Sequence, residues 1–191
     1  EDLHGKIDMI LDGGMVQVGI ESTIVDLTED VPVILRPGCI TKEMLEEVLG
    51  EVTVDQAILQ KSQDKNLRPK APGMKYKHYA PKADLTIFKG DPKKVQARIN
   101  TLVADNEKQG KVTGILATDE SMGAYQAGIV KTIGSRQENG AIARGLYKIL
   151  RDFDHLQVDY IYAESFETDE MGAAIMNRLL KAAGYAVEQV D

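Results

Sequence analysis

From residue 82 onward, short runs rich in β-branched residues alternate with longer stretches whose apolar side chains return at helical spacing, and this alternation restricts the fold more than any other feature. Leu85-Thr86-Ile87-Phe88 reads as a strand, and Asp91 is placed to cap a helix with Pro92 at its first position. Val95, Ile99, Leu102 and Val103 share one face of that helix, which ends before Gly110. Val112 to Ala117 and Gly128 to Ile133 read as two more strands. A helix from about Glu138 to Asp154 carries Ile142, Leu146, Ile149, Leu150 and Phe153 on one side. Val158 to Ala163 and a helix from about Glu170 to Ala183 complete the series. Strands separated by helices are joined by crossovers, which makes them parallel and places helices on the sheet faces. The expectation is an α/β chain whose residues 82–191 form a three-layer α/β/α domain with a mostly parallel sheet.

The first fifty residues follow another pattern. Ile7 to Asp12, Met15 to Ile20, Thr23 to Leu27 and Val31 to Arg36 read as strands on their β-branched and apolar content, with turns at Asp12-Gly13-Gly14 and Pro37-Gly38. Thr41 is a candidate N-cap, Met44, Leu45, Val48 and Leu49 form a helical stripe, and Gly50 is a candidate stop. Short strands with a single helix supply few surfaces for a two-layer core, so this unit is expected to be incomplete. Thr53 to Lys70 is polar and weakly patterned and reads as a connector with at most a short helix.

Between the two units lies a segment composed unlike a spacer. Pro69, Pro72 and Pro81 oppose regular structure, yet Lys75, Tyr76, Lys77, His78 and Tyr79 are packed among them. Lysines neutralise phosphate and an exposed phenol ring stacks on a base, so Lys75, His78 and Tyr79 are candidates to contact a nucleotide.

A formal charge of -7 argues against broad nucleic-acid wrapping or an anionic membrane surface. Apolar runs stop at about six residues, short of the roughly 20 that a spanning helix requires. The lone Cys39 excludes an internal disulfide framework and fits a reducing compartment, with the cytoplasm as the expected location. Three histidines, at 4, 78 and 155, are too few for a histidine-rich metal site, and His155 reads as structural.

Two further places carry chemistry. In Gly19-Ile20-Glu21-Ser22-Thr23-Ile24-Val25-Asp26, hydroxyls and carboxylates meet at the lip of a strand; they suit an amine or hydroxyl substrate, and equally suit ordinary strand-edge hydrogen bonding. No histidine lies nearby in sequence to activate Ser22 as a nucleophile. Arg36, at the end of an apolar strand before Pro37-Gly38, is placed either to fork onto phosphate or carboxylate or to form a surface pair with Asp26 or Asp30. Gly134-Ser135-Arg136 sits where anion-binding turns occur, without Walker or dinucleotide glycine spacing, and packing is the competing explanation. Asn177-Arg178 can reach a crevice or a neighbouring domain and pair there with a carboxylate.

Gly19 to Asp26, Arg36-Pro37-Gly38, Pro72 to Pro81, Ile133-Gly134-Ser135-Arg136, Leu150-Arg151-Asp152-Phe153-Asp154 and Ala174-Ile175-Met176-Asn177-Arg178-Leu179 occur in this order, and together they resemble the two-domain threonylcarbamoyl-AMP synthases. The resemblance implies residues 1–56 as the end of a YrdC-like α/β catalytic domain, 57–81 as a linker or lid, and 82–191 as a Rossmann-like C-terminal domain. It implies a nucleotidyl transfer in which ATP, L-threonine and bicarbonate give threonylcarbamoyl-AMP, pyrophosphate and water, for a later modification of a tRNA adenosine. Ser22 matches a threonine-contacting position and Arg36 an ATP-contacting one, with Lys75, His78 and Tyr79 on the lid; no covalent catalytic residue is implied. Mg2+ is expected on the triphosphate, downstream tRNA-modifying enzymes and a homodimer as associations, and neither a membrane nor direct nucleic-acid binding. The family's upstream lysine-and-arginine and serine-and-asparagine motifs do not precede Glu1, so the 191 residues alone are expected to have little synthase activity. Two other readings remain at the level of residues: a nucleotide-binding regulatory module, and a structural domain that docks on a catalytic partner.

Overall fold

The structure, a computed structural model, describes residues 3, 5–14, 19, 21–55, 58, 80–166 and 170–191. The expected strand at 15–20 and most of the 57–81 segment, including Lys75, His78 and Tyr79, lie outside the described residues.

Five parallel strands build the larger sheet: β4 (Asp84–Gly90), β5 (Thr113–Ala117), β6 (Ile129–Thr132), β7 (Tyr160–Glu164) and β8 (Val187–Val190). Their order is β6-β5-β7-β4-β8, with every pairing parallel. Successive strand residues point to opposite faces, and the two cores divide accordingly. Phe88, Ile115, Ala117 and Tyr162 face helix α2 (Pro92–Lys108) through Val95, Ile99 and Val103. Leu85, Ile87, Leu116, Ile161 and Ala163 face helices α3 (Asn139–His155) and α4 (Glu170–Ala182). The helical stripe read from the sequence of α3 is buried along its length, from Ile142 to Phe153. The expected three layers are present.

Local chemistry sets the element ends. Asp91 Oδ1 accepts from the amides of Lys93 and Lys94 at 3.0 and 3.1 Å, and Pro92 opens α2 as expected, its missing donor costing nothing at that position. The chain enters β4 through a clamp, Lys82 N donating to Asp154 Oδ1 at 2.7 Å, while Arg151 pairs with Asp154 at 3.1 Å. Asp154 therefore holds the chain at Lys82 just ahead of β4.

A smaller sheet forms in the first unit. β1 (Ile24–Asp26) runs antiparallel to β2 (Val33–Arg36), and β2 runs parallel to β3 (Thr53–Val54). Helix α1 (Lys42–Leu49) begins as expected at Thr41, whose side chain accepts from Met44 N, and Gly50 N closes it on Glu46 O. Three expectations are corrected. Thr53 and Val54, read as connector, pair with Val33 and Ile34, because one strand edge was open to them. Ile7 to Asp12 is not a strand; Met9 and Leu11 are 75% and 89% exposed, and no described strand pairs with them. β8 was missed because charged Glu188 and polar Gln189 interrupt a short run whose pairing with β4 is set by tertiary position.

A close approach inside the large sheet gives a test. A Cβ added at Gly114 would lie 2.6 Å from the ring of buried Phe153, whereas one at Gly123 would meet open space. Gly114→Ala is expected to destabilise by ~1–3 kcal/mol through overpacking, lowering the melting temperature by several degrees, while Gly123→Ala leaves it unchanged within measurement.

Candidate functional site

The start of β1, the end of β2, the segment after β2 and one side of α3 and α4 meet at one place. Arg36, the last residue of β2, donates from Nε to the Ser22 carbonyl at 2.9 Å and from Nη2 to Ser22 Oγ at 3.0 Å. This fork presents the Ser22 hydroxyl and the Arg36 guanidinium as one polar unit. The two residues singled out from sequence as substrate contacts are thus brought together. Asp26 accepts from Thr28 N at 3.0 Å and Thr28 Oγ1 at 2.6 Å, a local turn bond.

The backbone beneath Ser22 is tightly held. Gly38 lies so close that a Cβ there would come within 2.7 Å of backbone atoms of Glu21, Ser22 and Thr23. Thr23 Oγ1 donates to Ile40 O at 2.7 Å and accepts from Ile40 N at 3.1 Å. Pro37-Gly38 is therefore a turn whose glycine allows two backbones to touch.

Glu21 does something its position in the sequence did not suggest. Its carboxylate, suited from sequence to substrate and equally to ordinary hydrogen bonding, is held by the C-terminal domain: Tyr147 Oη of α3 donates to Oε2 at 2.9 Å, and Arg178 of α4 pairs with the same oxygen. The Arg178 side chain is 4% exposed and Glu21 23%. Arg178 Nε makes the ion pair without hydrogen-bond geometry, and Nη2 reaches Pro37 O at 3.4 Å. One turn further along α4, Lys181 is also buried; burial first, then the nearby Arg178 and Arg36 charges, push its ammonium down to about 8, against an opposing pull from Glu21. Arg178 accordingly fulfils the interdomain alternative read for Asn177-Arg178.

The C-terminal sheet has its own crevice. β5 leads to β6 on one side while β7 leads past β4 to β8 on the other, and such a reversal opens a cleft at the strand carboxyl ends. A cleft of about 390 Å³ lies by Phe88, Gly90, Val95, Arg136 and Glu164. Its charged groups are engaged with each other. Tyr125 Oη and Arg136 Nη2 both donate to buried Glu164, Arg136 Nη1 donates to Ser165 O at 3.2 Å, and the guanidinium lies 5.5 Å from the centre of the Phe166 ring. Burial and the Glu164 carboxylate push the Tyr125 phenol well above its usual value. The turn at Gly134-Ser135-Arg136 is filled from within: Glu120 accepts from Ser135 Oγ at 2.5 Å and from Arg136 N at 3.0 Å, and these bonds hold its carboxyl at about 2. The donors that made this turn an anion-site candidate serve packing.

The comparisons with known proteins agree with this arrangement. Residues 40–184 match the family described as threonylcarbamoyl-AMP synthase, C-terminal domain, and residues 1–38 match one described as telomere recombination. The chain belongs to the threonylcarbamoyl-AMP synthase family. The threonylcarbamoyl-AMP synthase of Bacillus subtilis is 46% identical over 183 residues, covering 96% of this chain and 51% of that protein. That of Pyrococcus abyssi is 44% identical over 190 residues, covering 100% of this chain and 53% of that protein. A crystal structure of P. abyssi Sua5 complexed with L-threonine superimposes with a TM-score of 0.84 at 43% identity, over 99% of this chain and 53% of that one. The chain spans about half the length of these synthase relatives. The stretches that carried the resemblance now have physical roles: Asp154 clamps the entry to β4, Arg136 closes the C-terminal crevice, and Ile175 and Leu179 fill the core beneath Arg178. Glu21, Tyr147 and Lys181 were missed as a cluster because they are far apart in sequence.

Lys181 gives a pH test with a defined sign. The unfolded chain keeps the lysine proton up to about 10.5, while the fold releases it at about 8. The penalty for charging the buried ammonium is therefore full below about 8 and fades as pH rises to about 10.5. Lys181→Met is expected to melt higher than the parent at neutral pH, with the gap narrowing across that window in thermal unfolding.

Proposed function

We propose that this chain is the C-terminal half of a threonylcarbamoyl-AMP synthase, with residues 1–56 completing the catalytic domain, 57–81 forming a lid and 82–191 the second domain. The observation that carries the proposal is the Ser22–Arg36 fork at the end of β2, within a chain that superimposes on a threonine-bound relative. Ser22 Oγ binds L-threonine and Arg36 neutralises phosphate charge on ATP, with Lys75, His78 and Tyr79 closing over the nucleotide from the lid.

The reaction joins the threonine amine to bicarbonate with loss of water. A carbamate oxygen then attacks the α-phosphate of ATP, and pyrophosphate leaves. The protein's work in such a step is positioning and charge neutralisation, with no covalent enzyme intermediate. Mg2+ arrives on the triphosphate as part of the substrate. Exposed Met9, Leu11, Leu27 and Val48 on the first unit support a unit that packs against the rest of a catalytic domain. No helix among the described residues is long and apolar enough to cross a membrane, in keeping with the cytoplasm as the proposed site of tRNA modification.

The test is pyrophosphate release from ATP. In the full-length enzyme it requires both threonine and bicarbonate; Ser22→Ala raises the threonine KM by up to about tenfold, and Arg36→Met lowers kcat/KM for ATP by about a hundredfold, as expected for losing neutral and charged hydrogen bonds. The 191 residues alone give only background release. Full activity without Ser22 and Arg36 contradicts the assignment of these residues, and robust threonine-dependent release by this chain alone contradicts the expectation that it needs the rest of the catalytic domain.

A further inference from the structure

Arg178 touches the residue before one candidate substrate contact and the residue after the other. Its guanidinium pairs with Glu21, next to Ser22, and reaches the carbonyl of Pro37, next to Arg36. Tyr147 holds the same Glu21 oxygen from a second helix. We propose that Arg178 and Tyr147 are positioning residues through which the C-terminal domain sets the affinity of the synthase for threonine, without touching it. This rests on the assignment of Ser22 and Arg36 made above.

The mechanical path is short. Gly38 packs on the backbone of Glu21, Ser22 and Thr23, and Thr23 is bonded twice to Ile40, so the 21–23 strand end and the 36–40 turn move as one body. The Glu21 side chain is the handle by which α3 and α4 grip that body. Those helices are in turn immobilised by a core containing Leu146, Leu150, Ile175 and Leu179. Arg178 is buried with its charge, and a buried guanidinium demands a partner. The grip is thus set by the fold of the second domain, and any slackening tilts the Ser22 hydroxyl relative to the guanidinium that forks onto it. A displacement of this kind weakens ground-state binding of threonine more than it alters the chemistry at the α-phosphate.

Steady-state kinetics of the full-length enzyme, paired with hydrogen exchange at the Ile40 amide, tests the idea. Tyr147→Phe removes one hydroxyl and is expected to raise the threonine KM about tenfold while kcat changes by about twofold or less, and to speed exchange at Ile40. Arg178→Met acts in the same direction. Combining it with Glu21→Gln changes KM by less than the product of the single effects, because both remove the same interaction. Arg98→Met, at the exposed pair with Glu188 on the other face of the sheet, changes neither readout. If Arg178→Met does not fold, Tyr147→Phe decides. An unchanged KM and unchanged exchange in Tyr147→Phe overturn the proposal, as do Glu21→Gln and Arg178→Met effects that multiply independently. If the parent enzyme makes no threonylcarbamoyl-AMP, the functional assignment fails by itself, and Ile40 exchange in Tyr147→Phe still decides whether the grip exists.

Discussion

Glu21 lies just before the small sheet and is held by two helices that pack on the large one. A partly buried carboxylate needs its lone pairs satisfied, and here the donors come from α3 and α4, more than a hundred residues along the chain. Removing either partner would leave a charge or an acceptor in a place water reaches poorly. The two units are thereby locked in register at the position where Ser22 and Arg36 meet. Buried Lys181 lies beside this pair, its ammonium pushed down to about 8 chiefly by burial.

The C-terminal domain carries the shape of a ligand-binding fold and uses its crevice differently. At the reversal between β5 and β7, the groups that elsewhere receive a phosphate are bonded to Glu120 and Glu164 from the same domain. Tyr147 and Arg178, on its helices α3 and α4, reach out to the first unit. A parallel sheet covered on both faces makes a stiff platform, and a stiff platform is what a loop carrying small hydroxyl and guanidinium groups requires if those groups are to stay within tenths of an ångström of their working positions.

Much of this domain was legible in the sequence because its signals are local and repeated. The Ile142 to Phe153 stripe, the Asp91 cap with Pro92, and the apolar strand cores each follow from residues a few positions apart. What was not legible depends on distant partners. Thr53-Val54 becomes a strand only because β2 offers an edge, and Val187 to Val190 only because β4 does. Ile7 to Asp12 has strand composition and no described strand to pair with. In the site, Ser22 and Arg36 were each marked as candidate contacts from their chemistry and position, but their pairing was not read from the sequence; Arg178 was marked as able to reach a crevice or a neighbouring domain. Glu21 was left open between substrate and ordinary hydrogen bonding: a carboxylate beside a hydroxyl is ambiguous until Tyr147 and Arg178 are in place.

The direction in which Glu21 points therefore carries the central claim. A crystal structure of the full-length enzyme with L-threonine and a non-hydrolysable ATP analogue measures it directly. The account predicts Ser22 Oγ within hydrogen-bonding distance of threonine, while Glu21 remains bonded to Tyr147 and Arg178. A Glu21 carboxylate swung away from both and bonded to the threonine amine would contradict it.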